Sequence, residues 1–148
     1  MSTSMSQAER EQFLAGVHVG VLSVDAGPGS GPLTIPVWYA YEPGGPVSVS
    51  TDRGSRKAVA VGAAGRFSLC AQDEQPPYKY VTVEGPAVIE PAGLDERRAL
   101  ARRYLGAADG DAFMEATAGA EAEAGASDGA IMIRMTPERW LAADFGKS

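Results

Sequence analysis

An antiparallel β-barrel, closed or partly open, is the fold class this sequence predicts, and three observations predict it. Short runs of alternating apolar and polar residues recur along the chain, the period-2 mark of strands. Breaks rich in glycine and proline, drawn from 18 Gly and 10 Pro, separate those runs. Helical periodicity is limited to short segments, chiefly a central stretch and a late one. A chain of 148 residues has room for one core. The expectation is therefore a flexible start over residues 1–9 and a single domain over residues 10–148.

Taken in order, residues 8–15 predict a short helix carrying Phe13 and Leu14 inward. Val17, Val19 and Val21 then alternate with His18, Gly20 and Leu22, a first strand, and residues 25–32 form a loop by composition. Leu33, Ile35, Val37, Tyr39 and Tyr41 make a second alternating set, with Thr34, Pro36, Trp38 and Ala40 on the other face. Pro36 has no N–H to give a ladder, which places this strand at an edge or a bulge. Residues 42–46 turn the chain into a third strand over 47–51. The period then changes. Residues 55–61 read as about two turns of helix, stopped by Gly62 and Gly65. Strands resume over 67–71 and 78–90, the latter bent at Gly85-Pro86. Residues 94–105 are the clearest helix, with Asp95 and Glu96 at its positive pole and Gly106 placed to end it. Asp109 or Asp111 is positioned to cap a further helix through Met114 and Thr117, and residues 121–128 read as a loop. Strands over 130–135 and 139–144 complete the pattern.

Composition sets the outer limits on function. Hydrophobic residues make up 45% and charged residues 22%, the balance of a folded globule. A net charge of -6 leaves nucleic acid only a local patch to work with. Cys70 is the one cysteine, which excludes an internal disulfide and suits a reducing compartment. Residues 1–12 carry neither a basic-then-apolar leader nor a run able to span a bilayer, so a cytoplasmic protein with no membrane partner is expected. No His, Cys, Asp and Glu set has metal spacing, so no metal is expected. Nucleophile elbow, P-loop and dinucleotide glycine fingerprint are all absent.

The chemistry concentrates in residues 50–57, Ser-Thr-Asp-Arg-Gly-Ser-Arg-Lys. This stretch runs from a strand, through a turn at Gly54, into a helix N-terminus whose unpaired N–H groups form a partial positive pole. Ser50, Thr51 and Ser55 add hydroxyls, and Arg53, Arg56 and Lys57 add cations, within one short arc. Directional donors, a fixed dipole and concentrated charge together make a phosphate cradle. In an acidic protein, that local reversal of sign outweighs the alternative of a capped helix with solvated charges.

Those residues also carry a resemblance. Residues 35–39 (Ile-Pro-Val-Trp-Tyr), the hairpin, Val49-Ser50-Thr51, Ser55-Arg56-Lys57, and residues 81–87 (Val-Thr-Val-Glu-Gly-Pro-Ala) follow in the order of the pyridoxamine 5'-phosphate oxidase-like split-barrel superfamily. More narrowly, the chain resembles its short flavin/deazaflavin oxidoreductase branch, over about residues 10 to 144. The resemblance implies a mainly β, six-stranded antiparallel split barrel with a few short flanking helices, the FMN-binding split barrel. It implies a homodimer with cofactor in the interface, and coenzyme F420, or FMN, as that cofactor. By position, Ser55, Arg56 and Lys57 would hold the cofactor phosphate, Ser50 and Thr51 would line the approach, and Pro36, Val37 and Trp38 would lie beside the ring system. Two departures matter. Ala64-Gly65 stands where the family often has Asn-Pro, and the chain ends at residues 144–148 without the arginine-bearing tail of true pyridoxamine phosphate oxidases. Vitamin-B6 oxidation is therefore not the expected reaction.

The expected function is hydride transfer from reduced coenzyme F420 to a small conjugated or carbonyl acceptor. An FMN enzyme of the same fold and a non-enzymatic cofactor-binding protein are its rivals. No catalytic residue is singled out; Tyr78 and Tyr80 are conceivable proton donors, and Lys79 a further cation for a long anionic cofactor. Trp38 either stacks on a cofactor or fills a subunit seam. His18 has no second ligand or base partner and reads as structural or pocket-lining, Cys70 as a packed thiol, and Trp140 as core. Arg97, Arg98, Arg102 and Arg103 read as a solvated helix face.

Overall fold

The computed structural model describes residues 2–124 and 129–147 and contains, among those residues, seven strands and four α-helices. Helix α1 (Gln7–Leu14) leads into β1 (Gly20–Val24), β2 (Leu33–Val37) and β3 (Val47–Asp52). Helix α2 (Arg56–Ala64), β4 (Arg66–Asp73) and the long β5 (Lys79–Pro91) follow. A helical pair, α3 (Leu94–Leu105) and α4 (Ala107–Ala124), precedes β6 (Ala130–Met135) and β7 (Arg139–Asp144). All strand pairs are antiparallel, in the order β2-β1-β4-β5-β6-β3, with β7 added to β5. This six-stranded path curls into a half-barrel, the split barrel expected from the sequence. Strand β2 lies at one end of the path, where Pro36 costs no ladder bond on the open side.

The curl is made by β5. Its residues 79–86 pair with β4, residues 79–84 also pair with β7, and residues 87–91 pair with β6. The strand thus crosses between the two halves of the sheet at Gly85-Pro86. Gly85 is buried there, and a Cβ on it would overlap the Thr136 carbonyl where the chain passes from β6 to β7. Only glycine allows that approach.

Cross-strand register sorts the side chains into faces. Leu22, Leu69, Val83 and Trp140 stand opposite one another in successive strands and face the core. One residue along, Val21, Cys70, Thr82 and Leu141 form a row on the outer face. Cys70 is therefore half-exposed on the sheet surface rather than packed inside, whereas Trp140 packs against the core as expected.

The first strand begins at Gly20 rather than Val17, because the preceding segment is tied elsewhere. The Leu14 carbonyl accepts from the Tyr39 hydroxyl (2.7 Å), and the Phe13 carbonyl lies 3.0 Å from His18 Nε2. Val17 and Val19 are left 58% and 56% exposed, while Leu22 is fully buried. The expected free start is also bound. Ser6 and Glu9 form a reciprocal capping box on α1, Met5 is buried, and Asp144 N–H donates to the Thr3 carbonyl (2.9 Å). Lys147 Nζ donates to Ser4 O and to Glu9, and that ammonium, with Ser6, pulls the Glu9 carboxyl down to about 2. Helix α4 starts at Ala107, so neither Asp109 nor Asp111 caps it, and it runs to Ala124 through the start of the expected loop. The rest of that loop, residues 125–128, lies outside the described residues.

Candidate functional site

Strand β3 carries Ser50 and Thr51 to its C-terminal end, where the chain turns over residues 52–55, Ser55 N–H donating to the Asp52 carbonyl (3.0 Å). Ser55 caps α2: its hydroxyl accepts from Ala58 N–H (3.2 Å) and from the Thr51 hydroxyl (2.9 Å). Gly54 takes no positive φ, so the turn does not use the freedom expected of it.

Beside this turn opens a cleft of about 760 Å³. Pro36, Val37 and Trp38 line it from β2 and its continuation, Ser50 and Thr51 from β3, and Lys57 from the first turn of α2. Ser55 and Arg56 are not part of that lining; Ser55 spends its hydroxyl on the cap, and Arg56 is exposed. Arg53 is likewise exposed, and Lys79 faces Asp144 (3.6 Å) and the Phe13 ring (5.6 Å). Of those four expected cations, Lys57 lines the cleft.

The opposite wall was not legible in the cradle motif. Helix α3 contributes Arg97, Leu100 and Ala101, and α4 contributes Phe113, Met114 and Thr117. The 113, 114, 117 spacing marks one helix face, but nothing local says what that face meets. Three contacts set the wall in place. Arg134 on β6 grips Glu96 through both terminal nitrogens (2.6 and 2.9 Å) and also reaches Glu90 (2.6 Å). Glu96 sits in the first turn of α3, which has no side-chain cap, and the guanidinium holds its carboxyl below the usual range. Between the helices, Gly110 lies so close to the Arg102 backbone that a Cβ would need the chain to shift. Asp111 binds Arg102 (2.7 Å) and faces Arg98 (3.7 Å) across the same pair.

The third contact is aromatic. Trp38 stacks on Tyr104 with centroids 5.1 Å apart and planes 6° from parallel, and Phe113 tilts against it at 5.3 Å. Tyr104 is fixed by its hydroxyl, which donates to the His18 carbonyl (2.6 Å) and accepts from Tyr39 N–H (3.0 Å). Burial raises the phenol pKa of both Tyr39 and Tyr104 above the ordinary value, so both remain neutral donors at physiological pH. Arg103 turns inward over both rings and donates to the Ala15 and Gly16 carbonyls at the end of α1. The helix face expected to be solvated is thus partly structural. Tyr104→Phe removes a donor to one carbonyl and strands the Tyr39 N–H. It should cost about 1–3 kcal/mol in thermal or urea unfolding and shift Trp38 fluorescence; an unchanged midpoint would contradict this account of the wall.

No set of His, Cys, Asp and Glu among the described residues is placed to hold a metal ion. No tyrosine lines the cleft; Tyr78 is exposed and Tyr80 half-buried outside it. His18 Nε2 is engaged with the Phe13 carbonyl and its ring stacks on Phe13 at 4.3 Å, a structural role. No described helix is long and apolar enough to cross a membrane.

No protein-family model and no curated protein matches the chain. Solved structures do match in fold. The conserved hypothetical protein Rv2991 of Mycobacterium tuberculosis is 23% identical, with a TM-score of 0.76 over 99% of this chain and 89% of its own. An F420 reductase is 20% identical, with a TM-score of 0.67 over 88% of this chain and 94% of its own. A putative pyridoxamine 5'-phosphate oxidase of Listeria innocua is 14% identical, with a TM-score of 0.59 over 90% of this chain and 96% of its own. At these identities the likeness is one of fold, and this chain shares the fold of these structures.

Proposed function

We propose that this split-barrel chain is an oxidoreductase that holds coenzyme F420 in the cleft between β3–α2 and α3–α4 and serves a small conjugated or carbonyl acceptor. One observation carries the reading. Ser50, Thr51 and Lys57 converge on a cleft that also presents Trp38 and Phe113, so anion-binding and ring-binding groups share one space. The donor set suits a phosphate, with the Ser50 hydroxyl and the Lys57 ammonium beside the N-terminal pole of α2. About 760 Å³ lies in the range of cofactor pockets. When bound, the reduced deazaflavin would supply a hydride. The chain's own part is to bind and orient: Lys57 and the Ser50 hydroxyl fix the phosphate end, and Trp38 and Val37 limit where a ring can lie. The apolar wall excludes water.

Lys57 is the one member of the expected cation cluster in the lining, which favours a single phosphate and keeps FMN as the second reading. Parallel titrations with coenzyme F420, FMN and a nicotinamide dinucleotide at low and physiological salt test the choice. F420 should bind, and more weakly at higher salt, because its exposed anionic tail is screened within about 8 Å. A yellow protein that keeps FMN through dialysis and ignores F420 would reverse the assignment. Binding without turnover of any chemically reduced cofactor would make the chain a cofactor carrier.

A second copy of the chain belongs in the same proposal. The outer row Val21, Cys70 and Leu141 carries no charge, Leu141 is 63% exposed, and the exposed Val19, just before β1, lines the cleft. A two-fold interface of at least ~1,000 Å² should cover it. Light scattering at micromolar concentration should give a dimer, and Leu141→Asp should shift it to monomer. A monomeric parent would remove this part of the proposal.

A further inference from the structure

The two ends of the cleft differ in chemistry. Ser50, Thr51, Asp52 and Lys57 form one end, and Ala130, opposite Asp52 in register, receives the Ala92 N–H that leads into α3. Arg97, in the first turns of α3, also lines the cleft. Most of the remaining lining is uncharged and apolar, with Val19, Pro36, Leu100, Phe113 and Met114 beside Trp38, whose indole N–H is its one polar group, and Thr117. Phe113 is the unusual member. It is 44% exposed although Met114 beside it is buried, and the ring leans on Trp38 instead of entering the core. The other side of Trp38 is already taken by Tyr104, in near-parallel contact. A ring reaching Phe113 therefore meets the Trp38–Phe113 pair at its open side, where Trp38, Phe113, Met114 and Thr117 carry no charge.

We infer that Phe113, presented by α4, determines acceptor specificity and selects an uncharged, planar, apolar ring compound over a charged one. The inference rests on the cleft being the ligand site proposed above, and it concerns the end remote from Lys57. A charged acceptor would lose its hydration against this wall without compensation, whereas a planar apolar one exchanges water for aromatic contact. Thr117, one turn beyond Phe113, adds no charge; its hydroxyl donates to the Phe113 carbonyl within the helix and its oxygen remains able to accept.

The test uses the whole protein without cofactor and two fluorescent probes of similar ring shape, neutral N-phenyl-1-naphthylamine and its anionic relative 1-anilinonaphthalene-8-sulfonate. The neutral probe should bind the parent, and in a Lys57→Ala background, where the anion-binding ammonium of the cleft is gone, it should bind more tightly than the anionic one. Phe113→Ala should weaken it about tenfold, the scale of one aromatic contact with its area. Phe113→Tyr should retain most of the binding. Phe113→Lys keeps a good helix former at an exposed position and should invert the preference toward the anionic probe. Thermal midpoints within a few degrees of the parent separate these effects from unfolding. Equal binding of the neutral probe by the parent, Phe113→Ala and Phe113→Lys would overturn the inference. So would a fall in oligomer size in Phe113→Ala with probe binding unchanged, which would make this wall a contact between copies. Because no cofactor is present, failure of F420 or FMN to bind would leave this result standing, and failure here would leave the Lys57 end untouched.

Discussion

Gly85→Ala should lower unfolding free energy by about 3 kcal/mol or more, among the largest effects of any single methyl added to this chain. The added carbon would fall on the Thr136 carbonyl and close to Glu138 N, both backbone atoms that no rotamer change can move. Those atoms are themselves fixed. Thr136 N–H donates to the Pro86 carbonyl (2.9 Å) and Glu138 N–H to the Glu84 carbonyl (2.9 Å), so the β6–β7 crossing straddles Gly85. Relief would require breaking the ladder on one side of β5, which carries both halves of the sheet. A fall in melting temperature of roughly 10 °C is expected for a chain of this size. Gly93→Ala is the control, since a Cβ there meets nothing within 4 Å. Equal melting temperatures for the two variants would refute the crossing as the constraint.

Lys57→Ala should weaken binding of the cofactor by about 1.5–3 kcal/mol, roughly ten- to a hundredfold, the scale of a charge-assisted hydrogen bond. Arg56→Ala, one residue away and equally basic, should change binding several-fold at most. Position alone made these two residues equivalent. The helix separates them: Lys57 is half-buried in the cleft lining, while Arg56 points into solvent, where its charge is screened. Ser55→Ala should act through the fold instead, costing about 1 kcal/mol as α2 loses its cap. Isothermal titration of the three variants with F420 and FMN checks the order. If Arg56→Ala costs as much as Lys57→Ala, the cleft as drawn is not where the phosphate sits.

Alternation alone located most of the strands, because a pleated backbone sends successive side chains to opposite faces whatever they pack against. Residues 94–105 were placed with their bounds for a similar reason: acidic first turn and terminal glycine act within one or two helical turns. The start of β1 was misplaced because Val17 and Val19 alternate as a strand should, yet their backbone is diverted where Tyr39, His18 and Arg103 claim the carbonyls of residues 13–16. Tyr39 and Arg103 lie far along the chain, beyond the reach of any window. Helix α4 was only half visible, since its alanine-rich end has no apolar stripe to read.

What the sequence by itself determined is the local chemistry: an antiparallel sheet broken by glycine and proline, and a strand–turn–helix arc bearing Ser50, Thr51 and Lys57. Each of these is encoded within about ten residues, where propensity, capping and charge act directly. The tertiary structure alone decided which face of each strand is covered, so that Leu22 is buried and Val21 left outside. It also decided which cations reach the cleft, and that α3 and α4 close it from about fifty residues further along the chain. Those outcomes depend on contacts between distant segments, such as Arg134 with Glu96 and Trp38 with Tyr104 and Phe113. A periodic pattern tells a chain that it has two faces, but only packing against another segment selects the face that is buried.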